Sequence, residues 1–550
     1  TSSFAFKDKE LPLHTIAGRL QVSHIIEGGV RRSNDRLRIS ARLIDVEDDS
    51  HVWNGRWDRS MDDIFAVQDE IALSIADELR EQVGHLDIQD HLVRKQTHST
   101  DAYTLALKGK FHFNRWNPES VKASIGLFEE ALSIDPLHAE SHLGLADAFG
   151  FMATTGFMPR EESWKRAEKH IAKALSIHPD SASGYYQLAN LDFFVSCDFS
   201  AAFKHIQHAV ALNGNHPEAL QFMAFLHMLR GDKAAADHFL QRALEVNPLS
   251  PETLFYKGYW HYRQAEWEEA TKQFDALLKD NPQNIPALVT KLYTLLCSGR
   301  EKEVLQFLDA MPQGMLLEDE EMGIRALATP ITDTVSDDLI KRILQRADED
   351  HSFQAHTYAY HICARLGRTD EAFDRLEEGL KKKSSIFLLS FSDPLAGALR
   401  NDDRYSAYHQ KIYALPHSGS QESPRSKPDL LGEAELKSMR QELENFMEEE
   451  QPFLNPDLHM RDLANRIGMH PNMLSKLINQ AFEKNFNAFV NDYRIAYFKK
   501  LLAGKDSAQF SLIGLAYESG FNSKSVFNTY FKKTEGVTPG AYLRAVSGDK

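Results

Sequence analysis

The pattern of hydrophobic and polar positions separates a short β-rich start from a long helical remainder. Residues 22–60 contain stretches in which apolar and polar side chains alternate with the period of two that is typical of half-buried strands. Asn34 and Asp35 separate the first two stretches and favour a hairpin turn. An amphipathic helix follows over residues 61–83. We therefore expect a small α/β module over residues 1–86.

A repeated phrase marks the middle of the chain. It has an apolar residue, an alanine three residues later (Leu277 in the last copy), and a proline or glycine at its end. Its copies end at Pro136, Pro179, Gly214, Pro248 and Pro282, with spacings of 43, 35, 34 and 34 residues. Thirty-four residues is the tetratricopeptide period, in which each unit is a helix pair that buries its apolar faces only by stacking on its neighbours. We predict a helical solenoid over residues 99–416, with small residues at Gly144, Ala224 and Gly258 where helices approach closely.

The last hundred residues contain two copies of a different sequence pattern. An apolar-periodic helix, a turn that contains Gly468 or Gly520, and a second helix with a polar exposed face form a helix-turn-helix. The two copies lie within residues 458–542 and are joined by a longer helix. The pattern predicts that the outward residues of the two second helices are Asn472, Ser475, Lys476 and Asn479, and Lys524, Ser525, Asn528 and Thr529.

Apolar positions in the same region predict what is packed. They indicate a packing side on the joining helix and some burial of the apolar residues of the last recognition helix, Val526 among them. The predicted packing residues of the joining helix are Phe489, Tyr493, Ala496 and Leu501.

This stretch, including its closing GVTPGAYL, resembles the paired DNA-binding domain of the AraC/XylS transcription regulators. The resemblance implies that the two outward sets read bases in successive major-groove segments of double-stranded DNA. Asn pairs with adenine, Lys with guanine, and Ser or Thr with either. We assign Lys484, Lys532 and Lys533 to phosphates, which position a protein without specifying sequence. Arg is absent from both sets, so we expect a less guanine-anchored site, or affinity drawn partly from a second copy of the protein, as in a homodimer.

The charge distribution agrees with a DNA-binding end. The chain as a whole carries a net charge of −16. Residues 451–550 contain 13 Lys/Arg and 8 Asp/Glu, a net of +5, and the other 450 residues contain 50 and 71, a net of −21. A modestly basic segment attached to an acidic body is typical of a nucleic-acid reader with a separate regulatory part.

The words EGGVRRSNDRLRISARLIDVED and WDRSMDDIFAVQDEIA resemble a small module that precedes tetratricopeptide arrays in bacterial signalling proteins, including some with adenylate cyclase domains. The resemblance implies no catalysis here, because no cyclase-like pair of metal-binding aspartates is identifiable. The module lacks its usual first strand and the chain lacks an initiator Met, so we expect a trimmed N-terminus. Four arginines at 31, 32, 36 and 38 fit a solvated sheet face better than an anion site.

Other classes of site find little support in the sequence. Cys197, Cys297 and Cys363 have neither disulfide-framework nor zinc spacing and fit buried thiols in a reducing cytoplasm. His205 and His208 are one helical turn apart without a third ligand, and tyrosines such as Tyr256 fit packing better than a ligand cage. No phosphate loop, nucleophile elbow or paired-carboxylate motif is present. We expect no cofactor, no metal, no enzyme activity and no membrane segment.

The predicted fold is mainly α: the α/β module (1–86), a tetratricopeptide solenoid (99–416), a flexible Ser/Pro-rich linker (417–429) and an all-α double helix-turn-helix domain (430–550). The leading hypothesis is a cytoplasmic bacterial transcription regulator whose array senses a partner protein, peptide or small ligand. The alternative is a tetratricopeptide scaffold that its C-terminal domain anchors to DNA. A sensor's DNA affinity changes when the array binds its ligand, whereas a scaffold's need not.

Overall fold

The computed structural model describes most of the chain in two compact units. The first unit comprises residues 1–25, 44–50 and 96–419, and the second comprises residues 26–43, 51–95 and 420–550. The predicted linker (417–429) and the hairpin residues Asn34 and Asp35 lie outside the described residues. Those are residues 6, 11–33, 36–47, 49–60, 64–84, 86, 88, 97, 99–330, 334–349, 352–416, 433–503 and 511–547.

The β-rich start forms one three-stranded antiparallel sheet. The alternation predicted for its middle strand is confirmed, because Leu37, Ala41 and Leu43 are buried whereas the arginines between them are exposed. Arg38 pairs with Asp58 of the next strand at 2.7 Å, so this face carries its own counter-charges. The elements are α1 (Leu13–Leu20), β1 (His24–Ser33), β2 (Arg36–Asp45), β3 (Ser50–Ser60) and α2 (Ile64–Val83), with the strands in the order β1-β2-β3.

The middle of the chain is a series of helix pairs, as the repeat predicts. The first helices of successive pairs begin at Ala139, Ala182, Pro217, Pro251 and Ile285, with the same spacings as the repeated phrases. The helices are α3 (Thr100–Phe113), α4 (Pro118–Ile134), α5 (Ala139–Thr154), α6 (Arg160–Ile177), α7 (Ala182–Phe194), α8 (Phe199–Leu212), α9 (Pro217–Arg230), α10 (Lys233–Val246), α11 (Pro251–Arg263), α12 (Trp267–Asp280), α13 (Ile285–Cys297), α14 (Glu301–Ala310), α15 (Glu318–Ala328), α16 (Thr334–Asp348), α17 (Phe353–Arg365), α18 (Thr369–Lys381), α19 (Ile386–Ser390) and α20 (Arg404–Ile412).

Small residues let consecutive helices approach closely, both within a pair and between neighbouring pairs. A Cβ built on Gly144 in α5 would lie closer than 3.0 Å to the ring of Phe128 in α4, and one built on Gly258 in α11 would lie equally close to the ring of Phe274 in α12. Both rings are buried, and Ala224 in α9 is fully buried as well. The prediction of close approach is confirmed at Gly144 and Gly258. Among the described residues, none of the helices combines the length and apolar character of a membrane span.

The array ends in helices that bury aromatic side chains. A 3-10 helix (Pro394–Asn401) precedes α20, and Phe391 before it and Tyr413 after α20 both join the main core of the first unit. The Tyr413 hydroxyl donates to the Leu388 carbonyl at 2.8 Å. The exposed Arg404 pairs with Asp402 and supplies the polar outer surface that an end cap needs.

The C-terminal domain consists of two helix-turn-helix units joined by one long helix. The core of the first helix-turn-helix contains Leu474, Leu477 and Ile478. The core of the second helix-turn-helix contains Phe527 and Phe531. The elements are α21 (Glu433–Glu450), a 3-10 helix (Pro452–Leu454), α22 (Met460–Arg466), α23 (Pro471–Phe482), α24 (Phe486–Leu502), α25 (Leu512–Glu518), α26 (Lys524–Glu535) and α27 (Pro539–Ser547).

The joining helix α24 changes its buried face along its length. Its start packs Phe489 into the first core, as predicted, whereas its end packs Ile495 and Phe498 into the second. The prediction that Ala496 belongs to the packing side is wrong, because Ala496 is exposed. One continuous stripe cannot serve two cores that lie on different sides of the helix.

A buried arginine connects α24 to the segment that precedes the first helix-turn-helix. The Arg494 guanidinium donates to the carbonyls of Phe453 and Asn455, at 2.8 Å in each case, and burial lowers the pKa of Arg494 to about 10. Gly520, in the turn of the second helix-turn-helix, lies against the same Phe453 carbonyl. Arg494 and Gly520 therefore fix both helix-turn-helix motifs to the backbone segment that contains Phe453.

We expect Gly520→Ala to destabilise the C-terminal domain far more than Gly468→Ala. Both glycines have positive φ, +92° and +69°, so each substitution carries the left-handed penalty of about 1–2 kcal/mol. A Cβ at 520 would also lie closer than 3.0 Å to the Phe453 carbonyl oxygen, whereas one at 468 meets open space. The clash adds a further 1–3 kcal/mol or so. Hydrogen exchange of peptides from residues 452–547 measures the difference, and equal protection in the two variants would contradict it.

Candidate DNA-reading surface

The first recognition helix, α23, starts at a well-defined cap. Pro471 occupies its first position, and the His470 ring nitrogen accepts from the backbone N–H of Asn472 at 3.2 Å. The apolar side of α23 is buried in the first core, which leaves its polar side for other contacts. Asn472 stands at the start of that polar side, where the helix-turn-helix class contacts base edges.

The side-chain amide of Asn472 is hydrogen-bonded to the backbone N–H and C=O of Ile88, which belongs to the same compact unit. Its Nδ2 donates to the Ile88 carbonyl at 3.0 Å, and its Oδ1 accepts from the Ile88 N–H at 3.2 Å. The same Oδ1 accepts from Arg80 Nη1 at 2.6 Å. Adenine offers an Asn side chain the same pair of groups, one acceptor and one donor. The Ile88 peptide therefore fills the hydrogen-bonding capacity that base reading by Asn472 requires.

Helix α2 makes further polar contacts with the first helix-turn-helix. Asp77 forms an ion pair with Arg461, and Glu81 Oε1 accepts from the backbone N–H of Met460 at 2.6 Å. The Asn485 side-chain amide donates to the Gln82 carbonyl at 2.6 Å. An acidic helix thus lies against the helix-turn-helix and offers carboxylates to groups of the kind that contact DNA phosphates.

The remaining residues predicted on the first reading face differ in accessibility. Asn479 is exposed and Lys476 is half-buried. The prediction that Ser475 points outward is wrong, because Ser475 is 3% exposed. Lys484, predicted as a phosphate contact, forms an ion pair with Asp492. Reading by this face is therefore restricted in the structure.

The second recognition helix, α26, is open. Lys524, Ser525 and Thr529 are exposed and Asn528 is half-buried, and none of these side chains bonds to another residue in the described part of the chain. The predicted phosphate contacts Lys532 and Lys533 are exposed as well. Four of these six residues, at 524, 528, 529 and 532, line a groove of about 440 Å³ that Thr538, Pro539 and Gly540 close on the other side.

One apolar assignment on α26 needs correction. The prediction that Val526 is partly buried is wrong, because it is 47% exposed. It follows Ser525 in the chain and lies outside the core that its other neighbour, Phe527, joins. An exposed Val beside polar reading residues is suited to apolar contact of the kind that a thymine methyl group offers.

Glu78, Glu81 and His459 form a cluster whose ligand atoms lie within 4.8 Å of one another. Hydrogen bonding to Glu81 raises the pKa of His459 to about 9, and burial raises the pKa of Glu78. With this pKa the imidazole is mainly protonated at neutral pH and faces the Glu81 carboxylate. The cluster works as an ion pair between α2 and the start of α22, at an Nδ1–Oε2 distance of 3.5 Å.

Sequence signals for the residues that hold α2 in place are weak. Asp77, Arg80 and Glu81 lie in an ordinary amphipathic helix, and nothing in its periodicity distinguishes them from a solvated face. Arg80 is 1% exposed, which is rare for arginine. Only the tertiary contact with α23 shows why it is buried.

A comparison with family models supports the double helix-turn-helix. Residues 463–545, from α22 to α27, match a family model described as a helix-turn-helix domain. Together with the relatives below, this confirms an AraC-type helix-turn-helix domain at the C-terminal end of the chain.

Three relatives are similar to parts of the chain. A putative adenylate cyclase 3 of Rhizobium meliloti is 30% identical over 34% of this chain and 32% of that protein. The regulatory protein PocR of Salmonella typhimurium is 33% identical over 17% of this chain and 30% of that protein. The TCP pilus virulence regulatory protein of Vibrio cholerae is 38% identical over 12% of this chain and 22% of that protein. The chain spans a third or less of the length of each.

Solved structures similar to the chain are helical-repeat proteins of low identity. A thermophilic tetratricopeptide protein of Thermus thermophilus has a TM-score of 0.28 at 17% identity, covering 36% of this chain and 99% of that chain. A human IFIT1 dimer with m7Gppp-AAAA has a TM-score of 0.38 at 14% identity, covering 63% and 77%. The tetratricopeptide character of the array rests on its own helix pairs and their 34-residue spacing.

We expect the Glu81→Gln variant to return the pKa of His459 from about 9 towards its ordinary value, because Glu81 is the largest cause of the shift. The protonated imidazole stabilises the contact with α2 fully below pH ~6.5, and this contribution is lost as the pH rises through about 9. NMR titration of the imidazole nitrogens measures it, with His459→Gln identifying the signal.

The matched control is Glu70→Gln, since Glu70 also lies on α2 but pairs with Arg59. That variant leaves the His459 titration unchanged. A His459 pKa that stays high in Glu81→Gln would mean that α2 does not hold this imidazole in solution.

Proposed function

We propose that this protein is a DNA-binding transcription regulator in which α2 keeps the first recognition helix from reading bases while the second remains open. The observation that carries the proposal is the pairing of the Asn472 amide with the Ile88 peptide, at 3.0 and 3.2 Å. Base reading by Asn472 requires this pairing to break. DNA therefore competes with α2 and the residues that follow it for the same face.

The exposed polar face of α26 supports a role of the second helix-turn-helix in the first contact with DNA. Lys524, Asn528 and Thr529 are chemically suited to base edges, and Lys532 and Lys533 to phosphates. A single engaged helix-turn-helix binds weakly and mainly through phosphates, so full sequence reading in this proposal needs release of α2.

The array is proposed to bind an effector, and the role of the whole protein is proposed to be non-catalytic and cytoplasmic. Helical-repeat arrays present extended concave surfaces that suit partner binding. The Rhizobium relative is named a putative adenylate cyclase, but this chain matches only 32% of that protein. The shortage of Arg on both reading faces favours binding to DNA as a pair of copies.

Two substitutions on α26 are expected to separate base reading from phosphate binding. Asn528→Ala relaxes sequence preference at one base position by about 1–3 kcal/mol, because a base-edge contact is lost. Lys532→Ala weakens binding to all sequences alike and lowers the salt slope by about one, because one phosphate contact is lost. Genome-wide footprinting of the intact protein first supplies the target sites, and titrations at several salt concentrations then measure both effects.

The control for these titrations is Lys302→Ala, an exposed charge change in the array. It leaves both sequence preference and salt slope unchanged. If the intact protein binds no genomic DNA even at low salt, the proposed function is wrong.

Release of α2 is expected to strengthen specific DNA binding. Arg80→Ala removes the 2.6 Å bond to Asn472, so a larger fraction of the protein has the Asn472 amide available. Losing a buried charged hydrogen bond is worth roughly 1–2 kcal/mol, so the apparent Kd falls by about 5- to 30-fold. Asp77→Asn weakens the ion pairs of Asp77 with Arg461 and with Arg80, and it is expected to act in the same direction while the Arg80 side chain is retained.

Two controls make this result specific. Arg59→Ala breaks the Arg59–Glu70 pair of the same α/β module and leaves DNA affinity unchanged. Asn472→Ala removes the group that release exposes, so the effect of Arg80→Ala shrinks in that background. Unchanged or weaker DNA binding by both Arg80→Ala and Asp77→Asn would overturn the competition between α2 and DNA.

A further inference from the structure

The first unit contains a cavity of about 320 Å³ between the helices of the array. Its walls come mainly from the first helices of the pairs, from Phe113 of α3 to His361 of α17. Residues about 250 positions apart in sequence therefore face one space. The volume is that of a pocket for a small molecule.

Aromatic side chains make up most of the apolar wall. Trp116 lies 5.3 Å from Phe255 and 5.9 Å from Phe151 between ring centroids, and Phe225 lies 5.8 Å from Tyr256. These contacts hold the rings as a fixed cage. The aromatic lining residues are Phe113, Trp116, Phe151, Trp164, Tyr186, Phe194, Phe225, Phe255, Tyr256, Tyr259, Tyr293 and Phe353.

Four carboxylates, Asp147, Glu252, Glu320 and Asp393, line the same cavity, and no Lys or Arg is among the lining residues that the structure describes. Burial raises the pKa of Asp147 and of Glu320 to about 7, and raises that of Glu252 well above its usual range. Negative charge in this space is therefore costly while no cation accompanies it.

Three of the cavity carboxylates differ from paired carboxylates elsewhere in the array, such as Asp275, which pairs with Lys291 at 2.6 Å, and Glu371, which pairs with Arg375 at 3.0 Å. By contrast, the Glu252 carboxylate has no hydrogen bond or ion pair with any described residue. Asp147 and Glu320 accept only neutral donors, the Gln187 amide and the Tyr358 hydroxyl.

Two further polar groups on the wall lack partners. His361 is 1% exposed, and neither of its ring nitrogens meets a hydrogen-bond partner of acceptable geometry among the described residues. Trp164 is 4% exposed, and its indole N–H is likewise unpaired within that part of the chain. These two groups are available to a hydroxyl or a similar polar group of a ligand, whereas the cationic part of a ligand would face the carboxylates and the aromatic rings.

We propose that this cavity binds a small organic cation, an amine or a quaternary ammonium ion, with aromatic faces around the cation and carboxylates as counter-charges. A metal ion fits less well, because no three of the carboxylates and His361 bring ligand atoms within 4.8 Å of one another among the described residues. The identification of this cation with the effector rests on the proposed function above, whereas the binding itself does not.

Calorimetric titration of the full chain with choline and with putrescine tests the proposal. The neutral carbon analogue of choline, 3,3-dimethylbutan-1-ol, has the same shape without the charge, and glutarate reverses the charge. We expect saturable binding of at least one of the two cations, with the neutral analogue and glutarate at least about tenfold weaker. No binding of either cation, or equal binding of the neutral analogue, would overturn the proposal.

Glu252→Gln keeps the shape of the side chain and removes its charge, and it is expected to weaken cation binding by about tenfold or more. Asp147→Asn serves as the second variant on the same wall. The matched control is Glu269→Gln, an exposed glutamate on α12 outside the cavity, which leaves binding unchanged. Undiminished binding in both cavity variants would overturn the assignment of the site.

The same calorimetric titration is repeated with a lysine-containing peptide. If such a peptide binds while choline and putrescine do not, the small-ligand assignment is wrong and the cavity receives a peptide side chain. DNA binding is measured in the same samples. Cation binding that leaves DNA affinity unchanged supports the cavity assignment and removes only its identification with the effector.

Discussion

The amide of Asn472 has one donor side and one acceptor side, and it can engage both sides bidentately with only one group at a time. In the structure that partner is the Ile88 peptide, with Arg80 adding a second bond to the amide oxygen. A base edge would need the same two sides. The contact of α2 and the residues after it with the first helix-turn-helix is thus mutually exclusive with base reading by Asn472, whatever the DNA sequence.

This exclusivity is supported by several contacts that differ in chemistry. The Asp77–Arg461 pair and the bond of Glu81 to the Met460 N–H hold α2 against α22 as well as α23. Under the proposed competition DNA must break these contacts, so their net free energy sets how readily the first recognition helix is released.

Much of this architecture follows from sequence patterns, and the exceptions have identifiable physical reasons. The 34-residue period predicts the array, because each helix pair must stack on the next to bury its apolar face. Likewise, polar faces on α23 and α26 identify most candidate reading residues. Local periodicity does not say what covers a polar face, so the outward prediction for Ser475 is wrong. It also does not show that α24 serves two cores, which is why the prediction for Ala496 fails.

The cavity is a second feature that local sequence patterns do not reveal. Tyr256 and Tyr259 fit packing in the sequence, and they do pack against Phe225, yet they also line the space that holds Glu252. The carboxylates come from α5, α11 and α15 and, at Asp393, from the residue before a 3-10 helix, so no short motif contains them. A ligand in this space contacts helices from both ends of the array at once. If the proposed cation binding holds, the ligand would favour the arrangement of helices that forms the cavity over arrangements that open it, and such differential affinity is what the proposed effector role requires.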